Sequence, residues 1–207
     1  VIVDSIGYKY DGIWSFVFKD EPEKRQLVLD YLETPEGMSV NRYGLIAHAL
    51  GVEGDNETIK AHPEVVKYAA RYAAACIDGV IELGMFPGAD EALKGLHDEG
   101  RTMFIVSGGG NDVDLTHIAT ELNIAKYFKG IFGFGDPKMP LVKLDKWQNY
   151  ERIKEITHID DPKQYVVIGD GGSDYTLAKQ IGCDFVAIPS PWNHWEEDEE
   201  MKPMVVN

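Results

Sequence analysis

Apolar positions along this chain change their period twice. Residues 1–3 make a very short apolar run that ends at Asp4 and reads as a first strand. From about Asp11 to Gly79 no buried strand is legible, and apolar residues recur at helical spacing instead. Pro22, tolerated in a first helical turn, opens a helix that continues to Leu32. Residues 36–50 read as a second helix, stopped by Gly51. In residues 63–77 the positions of Val65, Val66, Ala69, Tyr72, Ala73 and Cys76 mark the clearest helix, closed by Gly79. This stretch is expected to be an all-helical insertion. Beyond residue 88 helices alternate with short apolar runs: helices over 88–99, 112–122, 146–156 and 175–181, strands over 101–106, 131–134, 165–168 and 185–188. Strands spaced by helices imply parallel βαβ units with right-handed crossovers. The expected organisation is an α/β core, a parallel sheet flanked by helices, from residues 1–11 and 83–207. Residues 12–82 form the helical domain set into it.

Three of these strands end in polar residues: the first at Asp4, the 101–106 strand at Ser107, and the 165–168 strand just before Asp170. In a parallel sheet those ends share one edge, so sites far apart in sequence converge there. The last end is the most informative. Val166-Val167-Ile168 reads as a buried strand, and Gly169-Asp170-Gly171-Gly172-Ser173-Asp174 follows it as a glycine turn with two acids four positions apart. Carboxylates delivered into such a loop suit a hard, oxygen-seeking cation such as Mg²⁺. The plainer alternative is that Ser173 or Asp174 caps the next helix. An Asp at a strand end can attack phosphorus and form an acyl-phosphate. Ser107, with the N–H groups of Gly108, Gly109 and Gly110, could hydrogen-bond phosphoryl oxygens. Lys146, opening a helix, is the best placed lysine to clamp spreading negative charge, with Lys143 and Lys138 as rivals. Each residue also has an ordinary reading as a turn or solvated surface group.

Charge narrows the partners. With 35 acids against 20 Lys and Arg, the formal charge is −15 over 207 residues. That balance argues against nucleic acid and against an anionic membrane surface, both of which reward a basic face. It leaves room for a small anionic substrate held by a few local cations. The two cysteines, Cys76 and Cys183, are too few for a disulfide framework. No apolar run approaches membrane-spanning length and no signal peptide is legible, so a soluble, cytoplasmic protein is expected.

The order and spacing of these motifs resemble the haloacid dehalogenase (HAD) superfamily, most of whose members are Mg²⁺-dependent phosphatases and phosphotransferases. Asp4 falls on the first motif's nucleophile, Ser107 on the second motif's hydroxyl residue, and Lys146 of Lys146-Trp147-Gln148-Asn149-Tyr150 on the third motif's lysine. Gly169-Asp170-Gly171-Gly172-Ser173-Asp174 resembles the fourth motif in its GDGxxD form, and Phe86-Pro87-Gly88-Ala89 the usual return from the cap. The resemblance implies a HAD-like Rossmannoid core with a helical cap inserted after the first motif. It also implies Mg²⁺ held by Asp4, the backbone carbonyl of Ile6, Asp170 and Asp174, and a small phosphorylated metabolite as substrate. Arg42, Tyr43, His48, Arg71 and Tyr72 lie in the cap and receive no assignment.

The first motif departs from the family's phosphatases. It reads Asp4-Ser5-Ile6-Gly7-Tyr8, with Ile6 where a second Asp would act as acid and base. A side chain that cannot titrate loses a contribution of about 10²–10⁴-fold. Asp11, His194 or a water could substitute. Two alternatives follow: a phosphonatase-like C–P hydrolase using Lys60 or Lys67 of the cap as a Schiff base, and a phospho-ligand-binding protein without turnover.

Overall fold

A computed structural model describes residues 2, 3, 7, 8, 12–135, 144–189, 195, 199 and 202–205. The chain divides into two compact units, Asp4–Gly84 and Val1–Val3 with Met85–Asn207.

Every regular element among the described residues of the first unit is a helix. It contains α1 (Ile13–Val17), α2 (Pro22–Leu32), α3 (Pro35–Ser39), α4 (Arg42–Leu50), α5 (Asn56–Ala61) and α6 (Pro63–Leu83). Ile13, Trp14, Val17, Phe18, Val28, Ile46 and Val65 are almost wholly buried. At about 1.5–3 kcal/mol for each large apolar side chain removed from water, this cluster is what holds the unit together. Two expectations needed correction. The helix expected over 36–50 is two helices. Val40 and Asn41 are extended, and the Asn41 side chain accepts the Tyr43 and Gly44 N–H groups to start α4 afresh. The helix expected to close at Gly79 runs through it and ends at Gly84, whose φ of +75° suits glycine. Gly79 serves close packing instead. Tyr8 is buried and its hydroxyl donates to the Ala75 carbonyl. A Cβ on residue 79 would lie 1.6 Å from that hydroxyl oxygen. Gly79→Ala is therefore expected to destabilise the protein by about 1–3 kcal/mol despite alanine's better helix propensity. A thermal midpoint at or above wild type would refute this account.

The second unit carries α7 (Ala89–Asp98), β1 (Met103–Val106), α8 (Asp112–Glu121), β2 (Phe128–Phe132), α9 (Lys146–Thr157), β3 (Val166–Gly169), α10 (Gly172–Ile181) and β4 (Asp184–Ala187). The expected alternation of strand and helix is present, and both strand pairs, β1 with β2 and β3 with β4, are parallel. Among the described residues the sheet is in two pieces, and Ile2 and Val3 belong to neither. The expected first strand is thus not formed by its described residues. Ile2 nevertheless packs with Met103, Ile105 and Ile131 against the buried Ala119, Ile124 and Tyr127, and its carbonyl accepts the Phe86 N–H at 2.9 Å. β2 lies two to three residues earlier than expected, because the polar Lys129 and Gly130 hide a strand start that pairs with Met103 and Phe104. β3 is covered on one face only. Val167 packs against the Tyr150, Leu177 and Ile181 cluster, while Val166 and Ile168 on the other face are 54% and 42% exposed.

Candidate active site

β1 delivers Ser107 into a glycine loop whose shape is set locally. The Ser107 N–H donates to the Phe132 carbonyl at 2.9 Å, extending the β1–β2 ladder by one residue. Its hydroxyl donates to the Gly109 carbonyl at 2.8 Å and accepts the Gly109 N–H at 3.2 Å, which curls the loop. Gly110 has φ of +83°. Asn111 then caps α8, its Oδ1 accepting the Asp114 N–H at 2.9 Å. The sequence offered three glycine N–H groups to an anion. Gly109 is engaged by Ser107, whereas those of Gly108 and Gly110 donate to no group among the described residues.

Lys146 begins α9, directly after the Asp145 cap, where Asp145 and Gln148 exchange side chain to backbone hydrogen bonds. Its ammonium donates to the Asp174 carboxylate at 2.6 Å and to the Ser173 hydroxyl at 2.9 Å. Both charged side chains are only 16% exposed. A methyl group on Gly108 would sit 3.7 Å from the Lys146 Cε, so the lysine lies beside the glycine loop. Ser107, Gly108, Lys146, Ser173 and Asp174 are thereby brought to one place by three separate strand or helix ends.

The turn after β3 differs from expectation in one respect. α10 begins at Gly172 rather than near residue 175, so Ser173 and Asp174 belong to its first turn. The second Asp174 oxygen accepts the Gly171 N–H at 3.3 Å, a capping role. Capping and charge pairing are therefore done by the same carboxylate. Its close seat explains Gly169, where a Cβ would fall 2.3 Å from the Asp174 Cβ. Asp170 is half-buried at the end of β3. Among the described residues no three His, Cys, Asp or Glu side chains gather as a metal site. Asp170 and Asp174, four positions apart across the start of α10, are of the donor type that Mg²⁺ takes, since it binds through one or two carboxylates and keeps several waters. Asp4, Ile6, Asp11, Lys138, Lys143 and His194 lie outside the described residues.

A polar ring behind the loop escaped the sequence reading. Asp112, first residue of α8, accepts the Arg152 guanidinium at 2.8 Å and the Gly133 N–H at 2.7 Å. Burial works against the charged form of Asp112. The Arg152 and Gly133 hydrogen bonds outweigh it, and the carboxyl titrates below its usual value. Folding therefore favours the ionised group. Its contribution is fully present above the ordinary carboxylate range, about pH 4, and fades as pH falls through the lowered value. The difference in thermal midpoint between wild type and Asp112→Asn should be large at neutral pH and narrow towards pH 3. A pH-independent difference would contradict this assignment.

In the helical unit, Asn41, Arg42, Tyr43, Lys60 and Tyr72 line a cleft of about 430 Å³. His48 stacks on Tyr31 and Arg71 donates to the Val17 carbonyl, which are structural duties. Lys60 and Lys67 pair with Glu57 and Glu64 one turn earlier and are 43% and 52% exposed. A Schiff-base lysine is favoured by desolvation, and both of these side chains are exposed.

The family profile described as haloacid dehalogenase-like hydrolase matches residues 13–182. A phosphoglycolate phosphatase of Pseudomonas fluorescens is 30% identical over 122 residues, 59% of this chain and 43% of that protein. One of Vibrio vulnificus is 25% identical over 122 residues, 58% of this chain and 50% of its own. The matched stretch thus spans about half the length of these curated relatives. Among solved structures, a haloacid dehalogenase-like family hydrolase of Streptococcus pneumoniae superposes with a TM-score of 0.58 at 20% identity, over 91% of this chain and 80% of that one. A HAD-superfamily subfamily IA hydrolase of Geobacter sulfurreducens superposes with a TM-score of 0.61 at 16% identity, over 92% and 83%. No helix among the described residues is long and apolar enough to cross a membrane.

Proposed function

The chain belongs to the haloacid dehalogenase-like hydrolases, and from that premise we propose that it is a Mg²⁺-dependent phosphatase of a small phosphorylated metabolite. The observation that carries this reading is the meeting of Lys146 with Asp174 and Ser173 beside the Ser107–Gly108 turn. A phosphoryl group placed there would meet the Lys146 ammonium, the Ser107 hydroxyl and the Gly108 N–H, donors suited to charge spread over its oxygens. Asp4 would attack phosphorus through a carboxylate oxygen as the ester oxygen leaves with the bonding electrons and takes up a proton. Water would then attack the phosphorus of the acyl-phosphate, releasing inorganic phosphate and restoring the carboxylate. Asp170, Asp174, Asp4 and the Ile6 carbonyl would hold Mg²⁺, which when bound supplies neutralising positive charge to the phosphoryl oxygens. The helical unit, residues 12–82 in the sequence reading, would act as the cap that selects the substrate.

Ile6 bears on rate. Without a carboxylate there, the leaving oxygen takes its proton from another group or from solvent, so turnover should be slow, and a phospho-ligand-binding role without turnover is the competing reading. Purified protein with Mg²⁺ is expected to release phosphate from small esters, with phosphoglycolate tried first because two relatives carry its phosphatase's name. Asp4→Asn should abolish that release. No turnover across a broad panel of phosphate esters, with ligand-induced thermal stabilisation intact, would replace this proposal by the binding role. Such a result would also predict that Ile6→Asp gains activity.

A further inference from the structure

Four hydrogen bonds close a ring behind the glycine loop. Arg152 donates one guanidinium nitrogen to Asp112 at 2.8 Å and the other to the Asn149 Oδ1 at 2.9 Å. Asp112 accepts the Gly133 N–H at 2.7 Å, and the Asn149 Nδ2 donates to the Gly133 carbonyl at 2.7 Å. Gly133 is thus gripped on both sides by groups that Arg152 joins. The guanidinium also lies 4.1 Å over the Phe132 ring, and Asn149 is completely buried. The ring ties three things together: the start of α8, the segment following β2, and the second turn of α9. Each touches the site. The Phe132 carbonyl receives the Ser107 N–H and the Gly110 carbonyl receives the Phe134 N–H, both at short range. Lys146 stands one turn before Asn149 on the same face of α9.

We propose that Arg152 is a positioning residue that fixes the register of α9 against the Ser107–Asn111 loop and so aims the Lys146 ammonium at the phosphoryl position. This rests on the role given to Lys146 above. Arginine suits the task because its planar fork serves two acceptors at once while stacking on a ring. Lysine offers a point charge that can keep Asp112 but not the whole arrangement. Misplacement of a clamping group by about 1 Å can cost on the order of 10²-fold.

The test uses the full chain with Mg²⁺ and inorganic phosphate as the probe, its affinity measured by calorimetry well below each variant's melting midpoint. Arg152→Gln is expected to weaken phosphate binding about tenfold or more. Arg152→Lys should fall between it and wild type, and it keeps the test decisive should the Gln variant fail to fold. A purely structural role would weaken binding equally whether or not Lys146 is present. Acting through Lys146, the change has little further effect in a Lys146→Met background. Equal losses in both backgrounds, or affinity within about twofold of wild type in Arg152→Gln, overturn the proposal. Phosphate binding without ester turnover in the wild type defeats the phosphatase reading alone. Absence of phosphate binding defeats both.

Discussion

Lys146→Ala is expected to lower kcat/KM for a phosphate ester by about 10²–10³-fold, with kcat carrying most of the loss. The ammonium lies 2.6 Å from Asp174, and its Cε would stand 3.7 Å from a Cβ added to Gly108, beside the glycine loop. Its charge serves two masters. In the resting protein it balances Asp174, which also caps α10 through the Gly171 N–H. With a phosphoryl group present, its value rises as negative charge spreads in the transition state. Removing it strips that stabilisation and leaves a largely buried carboxylate without its partner, so some stability is lost as well. The two effects separate by comparison with Lys146→Arg. Arginine retains positive charge near Asp174 but cannot reproduce a compact ammonium beside Gly108. Stability should recover in that variant more than turnover does. If Lys146→Ala turned over at the wild-type rate, the assignment would pass to Lys143 or Lys138.

Much of this arrangement was legible in the residues, and what was missed has definite causes. Motif residues that depend on local chain direction could be read: Ser107 follows a strand, Lys146 opens a helix, and Asp170 ends another strand, as their apolar and polar flanks imply. Helix ends could be read where a cap was the sole use of a residue, as at Gly51, which ends α4 in the left-handed region. Gly79 misled because a glycine can be needed for contact as well as for termination, and nothing local announces Tyr8 seventy-one residues earlier. Asn41 lies inside an apparently continuous helical pattern, yet its side chain is a strong helix starter and begins α4. The Arg152 ring was invisible for a different reason. Asp112, Gly133, Asn149 and Arg152 carry no shared spacing, and their pairing exists only after β2, α8 and α9 have packed. One retrospective signal was available: Asn149 and Arg152 fall one turn apart on the helix that Lys146 opens, and a polar pair on the inward face needs partners.

Gly133→Ala should be among the most damaging single methyl groups in the α/β unit. A Cβ there would lie 2.3 Å from the Gly110 carbonyl oxygen, 2.8 Å from a Leu115 methyl carbon and 3.0 Å from the Asn111 backbone carbon. Two of those three atoms are main chain of the glycine loop, which cannot swing aside as a side-chain tip can. Either the loop or the segment after β2 must shift by a sizeable fraction of an ångström. The first breaks the Phe134 N–H bond to Gly110, and the second pulls Gly133 from Asp112 and Asn149. Overpacking of this kind costs about 1–3 kcal/mol, and a displaced catalytic loop about 10–100-fold in turnover. The expected signature is therefore a lowered thermal midpoint together with a loss of kcat/KM that persists at temperatures where the variant is fully folded. A control at Gly95, where an added Cβ meets nothing within 4 Å in the middle of α7, should leave both near wild type. A Gly133→Ala protein with wild-type turnover when folded would mean that the glycine loop does not need its observed position for chemistry. The phosphoryl site would then have to be sought away from Ser107.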